Sequence, residues 1–227
     1  SLPMGTAIMA AGTDASAYAN NYLPPVTGPL AWANLESDLL PAGRRLKNFG
    51  SLGGVFALSG IAQLVAKGVA AAAGTESRLT LGTFTPDAYT FIVLIDVGPE
   101  AGILRHRNIR ISTNASKKLQ RVMDAGTSVS DITAPATGAF AVFLCGDSTG
   151  HAFGIVTASG IQKSTSTAVN SGTTATWMGG TNQAGLAAAW AGYGSAFYDR
   201  KLSDSEMERV AERLIKRARY LGVTVNG

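Results

Sequence analysis

Cysteine, histidine, charge and aromatic side chains are all scarce in this chain. A single cysteine, Cys145, excludes an intrachain disulfide framework and a Cys-rich zinc site. Two histidines, His106 and His151, are too few for a multi-His metal centre. Charged residues are only 15% of the 227 positions, while 46% are hydrophobic, which argues against wholesale disorder. Aromatics are 7%, so the apolar share rests on Ala and small β-formers. No apolar run approaches the ~18–20 residues of a membrane helix. The nearest candidate, 54–73, is interrupted by Ser59, Gln63 and Lys67. The opening SLPMGTAIMAAG has no basic segment and no long apolar stretch, and does not read as a signal peptide. Neither GxxxxGK[ST] nor GxGxxG occurs, so nothing points to a nucleotide.

What is present is glycine, 27 of them, and many small residues between apolar segments. The length suffices for one sizeable core. Residues 1–25 are small and polar and end in Pro24-Pro25, which favours extended backbone. They are expected to form an N-terminal arm leading into the domain, packed on a neighbour. Residues 26–202 read as strands separated by Gly, Ser, Thr and Asn clusters. The segment 90–97 is apolar nearly throughout, as in a strand covered on both faces. The segment 108–112 alternates, with Ile109 and Ile111 on one face and Asn108, Arg110 and Ser112 on the other. Asn114-Ala115-Ser116 then predicts a turn, and 119–123 a returning strand. Further strands are expected over 139–145, 151–158, 173–178 and 192–198, with a shorter one at 78–81. The Ser/Thr-rich stretch 164–176 reads as a long loop with part of a strand. This spacing predicts a β-sandwich.

The period changes in 203–227. Ser203-Asp204-Ser205-Glu206 is a capping box. Met207, Val210, Ala211, Leu214, Ala218 and Leu221 then share one helical face. Acidic residues open the segment and Lys216, Arg217 and Arg219 close it, in the order the helix dipole favours. Gly222 suits the position just past the helix end. The helix is expected to pack on the sandwich or on a neighbour.

The junction Tyr198-Asp199-Arg200-Lys201-Leu202-Ser203-Asp204-Ser205-Glu206 resembles the closing segment of concanavalin A-like, laminin-G-type jelly-roll domains. There a last strand ends in Tyr-Asp-Arg-x-Leu-Ser-Asp-x-Glu before a short helix. Tyr198, Asp199, Arg200, Leu202, Ser203, Asp204 and Glu206 all fit it. More loosely, Trp32 with Lys47-Asn48-Phe49-Gly50 is similar to the family's first strand and glycine link. Segments 77–81 and 89–97 are similar to a strand pair in its first half, and Trp177-Met178-Gly179-Gly180 to the strand before the closing segment. The family's Tyr-x-Asn-Gly hairpin has no clear counterpart. The resemblance covers about 26–206 and implies an all-β, jelly-roll β-sandwich with the C-terminal helix added. The closing motif itself reads as structural: Phe197 and Leu202 buried, Ser203 capping, Asp199 and Arg200 holding the corner.

Candidate chemistry is thin. Gly146-Asp147-Ser148 resembles the Gly-Asp-Ser block of SGNH-type esterases, but no histidine follows His151 to serve as base. Glu36-Ser37-Asp38 resembles the carboxylate cluster of jelly-roll glycoside hydrolases, yet Leu40 and Pro41 stand where the second carboxylate belongs. Arg105, Arg107, Arg110, Lys117, Lys118 and Arg121 place six of the 19 Lys and Arg residues within 105–121. A basic stripe on a hairpin can bind an acidic glycan or a protein. Without interleaved aromatics it is not expected to bind nucleic acid. Laminin-G-like domains sometimes hold one calcium, and the resemblance admits it, but Asp87, Asp96, Asp124, Asp131 and Asp147 are scattered and no cofactor is expected. Cys145, ending an apolar strand, reads as a core residue. Of the three tryptophans, Trp177 reads as half-buried. Trp190, in a small-residue loop, is expected at a rim as a contact residue, with Arg105, Arg107 and Arg110 as the other ligand candidates.

The resulting expectation is a non-enzymatic structural protein of a bacteriophage or prophage, such as a tail-fibre or tailspike tip. It would recognise host-surface glycan or serve assembly. It would form a homo-oligomer, possibly a trimer, with other virion proteins, assembled in the bacterial cytoplasm, with no membrane insertion. A glycan hydrolase or esterase on the same surface, and a ligand-free capsid or tail decoration protein, are the alternatives.

Overall fold

A computed structural model describes residues 24–35, 42–74, 76–180 and 188–226. Most of the expected arm, and the Glu36-Ser37-Asp38 candidate with Leu40 and Pro41, lie outside the described residues. Chain order is β1 (Ala31–Ala33), α1 (Ala42–Arg45), β2 (Ala57–Gly60), β3 (Gln63–Val65), β4 (Gly68–Ala71), β5 (Ser77–Gly82), β6 (Tyr89–Val97) and β7 (Gly102–His106). There follow β8 (Ile109–Thr113), β9 (Lys118–Met123), β10 (Gly126–Thr133), β11 (Phe140–Asp147), β12 (Gly150–Thr157), β13 (Gly160–Ser166), β14 (Thr176–Met178), β15 (Trp190–Tyr198) and α2 (Asp204–Tyr220).

The strands make two antiparallel sheets. One runs β13-β12-β11-β6-β15-β4-β3, with β1 pairing β15 beside this path. The other runs β10-β9-β8-β7-β14-β5-β2. The protein is therefore an all-β, jelly-roll-type sandwich with one long C-terminal helix. The segment expected to be covered on both faces is β6, which lies with β11 and β15 at the centre of the first sheet, all three buried almost throughout. Six strands, β2, β3, β4, β7, β10 and β13, were not expected. β10 is mostly exposed and β13 is polar, so neither shows an apolar period. β13 pairs with β12 from Ser166 to Gly160 and occupies the first part of the stretch expected as a loop.

Two apolar layers result. Between the sheets lie Leu79, Phe91, Val93, Leu104, Ile111, Val142, Met178 and Phe197, all fully buried. Phe84 stacks on Phe197 at 4.4 Å between ring centroids. On the outer face of the first sheet, Ile92, Leu94, Phe143, Ala196 and Tyr198 meet α2 through Met207, Val210, Leu214 and Ala218. Each such buried side chain contributes about 1.5–3 kcal/mol of transfer free energy. The helix thus packs on the sandwich itself.

The closing motif holds that helix in place. Glu206 N–H donates to Ser203 Oγ at 3.3 Å and Ser203 N–H donates back to the Glu206 carboxylate at 2.9 Å. The Arg200 guanidinium grips the same carboxylate with two nitrogens, at 3.0 and 3.3 Å. Together, Arg200 first, they hold the Glu206 carboxyl down to about 2. Asp204 pairs with Lys163 at 2.7 Å. Thr90 Oγ1 donates to the Arg200 carbonyl and accepts from Leu202 N–H, clamping the strand-to-helix corner onto β6. Tyr198 is buried and its hydroxyl donates to the Val26 carbonyl. Asp199 is exposed. Gly222 ends the helix at φ +75°, where a side chain is strained. At the other end, Asn48 Oδ1 accepts from the N–H groups of Trp32 and Gly50, tying the glycine link to β1.

Candidate functional site

The register of the seven-stranded sheet assembles a basic row on its outer face. Ala57, Thr80, Trp177, Arg105, Arg110, Val122 and Thr127 are successive partners across β2, β5, β14, β7, β8, β9 and β10. Their neighbours one residue along, Leu79, Met178, Leu104 and Ile111, sit in the core between the sheets. Side chains alternate along a strand, so the first row faces outward. Arg78, two residues from Thr80, joins the same face.

Trp177 is the centre of this row. β5 and β7 flank its strand, and a guanidinium from each lies against the indole: Arg78 at 4.7 Å and Arg105 at 4.8 Å from the ring centroid. The ring is 3% exposed, and its Nε1 is buried without a hydrogen-bond partner. Trp177 is thus a platform for two arginines. Arg78 also pairs with Glu76. Arg105 Nε donates to the Arg107 carbonyl at 2.7 Å, which orients its head. Arg110 stands directly opposite Arg105 on β8. Its Nε is buried with no acceptor. Burial first, then the Arg110 charge, pushes the Arg105 guanidinium below its ordinary value; Arg78 adds to this and Asp124 opposes it. Three like charges meet here, with Glu76 on Arg78 and Asp124 near Arg105 as the acidic neighbours.

The other basic residues of 105–121 do not join them. Arg107 lies in the β7–β8 turn and donates to the carbonyls of Gly172 and Pro86. Lys117 donates to the Pro135 and Ala136 carbonyls. Lys118 pairs with Asp131, and Arg121 donates to Ser166 Oγ on β13. Of the expected ligand residues, the fold brings together Arg105 and Arg110, and leaves Arg107 at the sheet end.

Trp190 is placed differently from its expected rim position. It is 3% exposed, packs in the core, and donates its Nε1–H to Ser77 Oγ at 2.9 Å. Gly179 (φ +94°) makes room for it, since a Cβ there would lie 2.3 Å from the indole. The strand β15 begins at Trp190. Sequence reasoning missed Trp177 and Arg78 as site residues. Trp177's neighbours come from distant segments, and only its place before a glycine turn marked it.

The histidine candidates and Asp147 are engaged elsewhere. Ser148 lies in the β11–β12 turn. Asp147 accepts from Thr149 N–H and Oγ1–H at 2.8 and 2.5 Å and from Lys201 at 2.8 Å, with Lys201 the main cause of its lowered pKa. His151 Nδ1 lies 2.7 Å from the Ala168 carbonyl. His106 is fully buried between Tyr89 and Phe197, with Nδ1 2.8 Å from Thr176 Oγ1. Desolvation lowers it to about 3, so the ring is neutral. A groove of about 540 Å³ between the β12–β13 turn and α2 contains Glu208 and Glu212, but Glu212 is paired with Lys216 at 2.7 Å, which lowers its pKa. Among the described residues, no three metal-ligating side chains cluster.

No family model matches the chain, and no curated protein matches it in sequence. Solved structures do match in fold. Trypanosoma rangeli sialidase superposes with a TM-score of 0.61 at 13% identity, over 84% of this chain and 34% of the sialidase. A mutant of that sialidase displaying trans-sialidase activity matches at TM-score 0.59 and 13% identity, with the same coverage. The receptor binding domain of botulinum neurotoxin mosaic serotype C/D matches at TM-score 0.58 and 8% identity, over 82% of this chain and 50% of that domain. The chain therefore spans about a third to a half of these proteins. At such identity the likeness is one of fold, and the fold is the β-sandwich.

These neighbours correct the expectation of a non-enzymatic protein. Sialidases are enzymes that act on sialic acid glycans, so this architecture occurs within glycosidases. Neither the fold nor the scarcity of histidine excludes catalysis. The sialidase and neurotoxin matches together associate the fold with glycans and receptors.

Proposed function

We propose that the protein is a glycan-recognition unit that reads its ligand on the outer face of the seven-stranded sheet. The observation that carries this reading is the Arg78–Trp177–Arg105 stack with Arg110 beside it. A guanidinium held against an indole loses little further freedom when it binds, so its fork of donors is offered at reduced entropic cost. Sugar hydroxyls and acid groups are acceptors that match it. Thr80, Ser112, Gln120 and Thr127 surround the arginines with smaller polar groups, and the Gln120 amide donates to Ser112 Oγ. The sialic acid ligand of the sialidase and the receptor-binding role of the neurotoxin domain support the same class of ligand.

The finer reading is a virion component of a bacteriophage or prophage, a tail-fibre or tailspike tip contacting host glycan. Its support is textural: many small residues, few charges and a single cysteine in a β-rich chain. In that setting the chain is a homo-oligomer, and a trimer suits a fibre tip. Glycan-array binding tests the recognition reading, and an array that stays silent overturns it in favour of a decoration protein. Sedimentation tests the assembly, since a monomer at high concentration removes it. The sialidase neighbours support one competing reading, a hydrolase: turnover of a fluorogenic sialoside by the purified chain would replace recognition with catalysis.

A further inference from the structure

Resting on the glycan reading, we propose that the saccharide is acidic, and that its carboxylate or sulfate group seats against the Arg105–Arg110 pair. Like charges directly opposite across two strands are destabilising. Here the fold keeps such a pair and supplies no ion-pair partner for either member among the described residues. The remaining cations of the same stretch each have a partner, Lys118 in Asp131, Lys117 and Arg107 in carbonyls, and Arg121 through Nη1 in Ser166, although the Arg121 Nε is itself buried without an acceptor. Arg110 alone of the group makes no hydrogen bond with the described residues, and its Nε is buried without an acceptor. In the row itself its other neighbour is Val122, which offers no acceptor side chain. A buried N–H without an acceptor is costly, and two like-charged guanidinium heads side by side are relieved by one anionic group whose two oxygens accept from their remaining N–H groups.

The geometry favours an acid on a sugar over a nucleic acid. Single-stranded nucleic acid needs free aromatic faces for its bases, and the Trp177 ring is covered by Arg78 and Arg105. Small hydroxyl and amide groups around the arginines suit ring hydroxyls instead. Carboxylate and sulfate ester share the required oxygens, so the test separates them.

The full chain is titrated in physiological salt with polygalacturonate, dextran sulfate, dextran and single-stranded oligothymidylate. The wild type is compared with Arg110→Met, Arg105→Gln and the control Lys118→Gln, each checked for a native thermal transition. The expected result is binding of polygalacturonate or dextran sulfate, and which of the two binds identifies the acid. Arg110→Met and Arg105→Gln each weaken it by about tenfold or more, while Lys118→Gln changes it by less than about threefold. Equal binding of dextran, untouched by Arg110→Met, overturns the acidic ligand and leaves glycan recognition standing. Binding of no saccharide overturns both. Retention of oligothymidylate as tight as that of the acidic saccharides, or an equal loss in Lys118→Gln, reduces the effect to diffuse charge attraction and overturns the site.

Discussion

The two faces of the seven-stranded sheet are built by the same strands, one residue out of step. On β7, Leu104 and His106 point inward while Arg105 points outward; on β14, Met178 is inward and Trp177 outward. The inner face is closed. Its central apolar side chains, such as Leu79, Leu104, Ile111 and Met178, are fully buried, and its one histidine is neutral and hydrogen-bonded to Thr176. The outer face is left open-ended, with stacked arginines, an orphaned indole N–H and an orphaned guanidinium N–H. Unsatisfied polar groups are rare in protein interiors, and on the inner face of these strands two are found among the described residues, His106 Nε2 and the Nε of Arg121, which stands opposite Ile111 and reaches Ser166 of the facing sheet. The difference teaches that packing explains one face and does not explain the other, which is why the outer face is the candidate site.

Substitutions on the two faces separate these roles. Leu104→Ala removes an apolar side chain from a sealed layer and should cost about 2–5 kcal/mol in denaturant unfolding. A loss below about 1 kcal/mol would mean that the inner layer is not close-packed. Acid comes next. His106 is held neutral in the folded state, with a pKa of about 3, while the unfolded chain protonates near the ordinary value of 6.5. The unfolded state therefore binds the extra proton first as pH falls. The stability this neutral ring contributes is complete above pH 6.5 and is lost progressively down to about pH 3. Between pH 7 and pH 5 this amounts to about 2 kcal/mol. His151, also lowered by burial, adds in the same direction. His106→Gln should flatten the slope by about one proton; an unchanged pH profile would show that the ring is not shielded from water.

The outer face should respond weakly. Arg105→Ala removes one stacked cation and its alkyl stem from Trp177, and should cost about 1 kcal/mol in thermal unfolding. Arg110→Met should change stability least, within about 1 kcal/mol and in either direction, because a crowded, unpaired charge is replaced by an apolar chain. A large loss in Arg110→Met would move this residue from the ligand side of the comparison to the structural side.

Legibility followed how local the physics was. The central strands β6 and β11 announced themselves as apolar runs, and α2 by its capping box and apolar stripe. The closing motif was recognisable because Ser203, Glu206 and Arg200 act within a few residues of one another. The edge strands β10 and β13 escaped because an edge strand with one exposed face needs no apolar period, and Ser and Thr serve it as well as they serve a loop. In the candidate site, Arg105 and Arg110 were legible as a charge cluster on a hairpin. Their selection from six basic residues was not, since the other four are consumed by carbonyls, Asp131 and Ser166. Trp190 was expected at a rim and Trp177 half-buried, and both are buried. Trp190 lies in the core under Gly179, and Trp177 lies among the arginines.

The sequence by itself determined the alternation of the strands, the helix and its cap, and the scarcity of histidine, cysteine and charge. These depend on neighbours within a turn or a strand, where period and capping chemistry are written directly in the residues. Only the tertiary structure decided that β14 is inserted between β7 and β5. That order places Trp177 between Arg78 and Arg105, three residues from three separate segments. Strand order and register come from packing one whole sheet on another, and no local period encodes them.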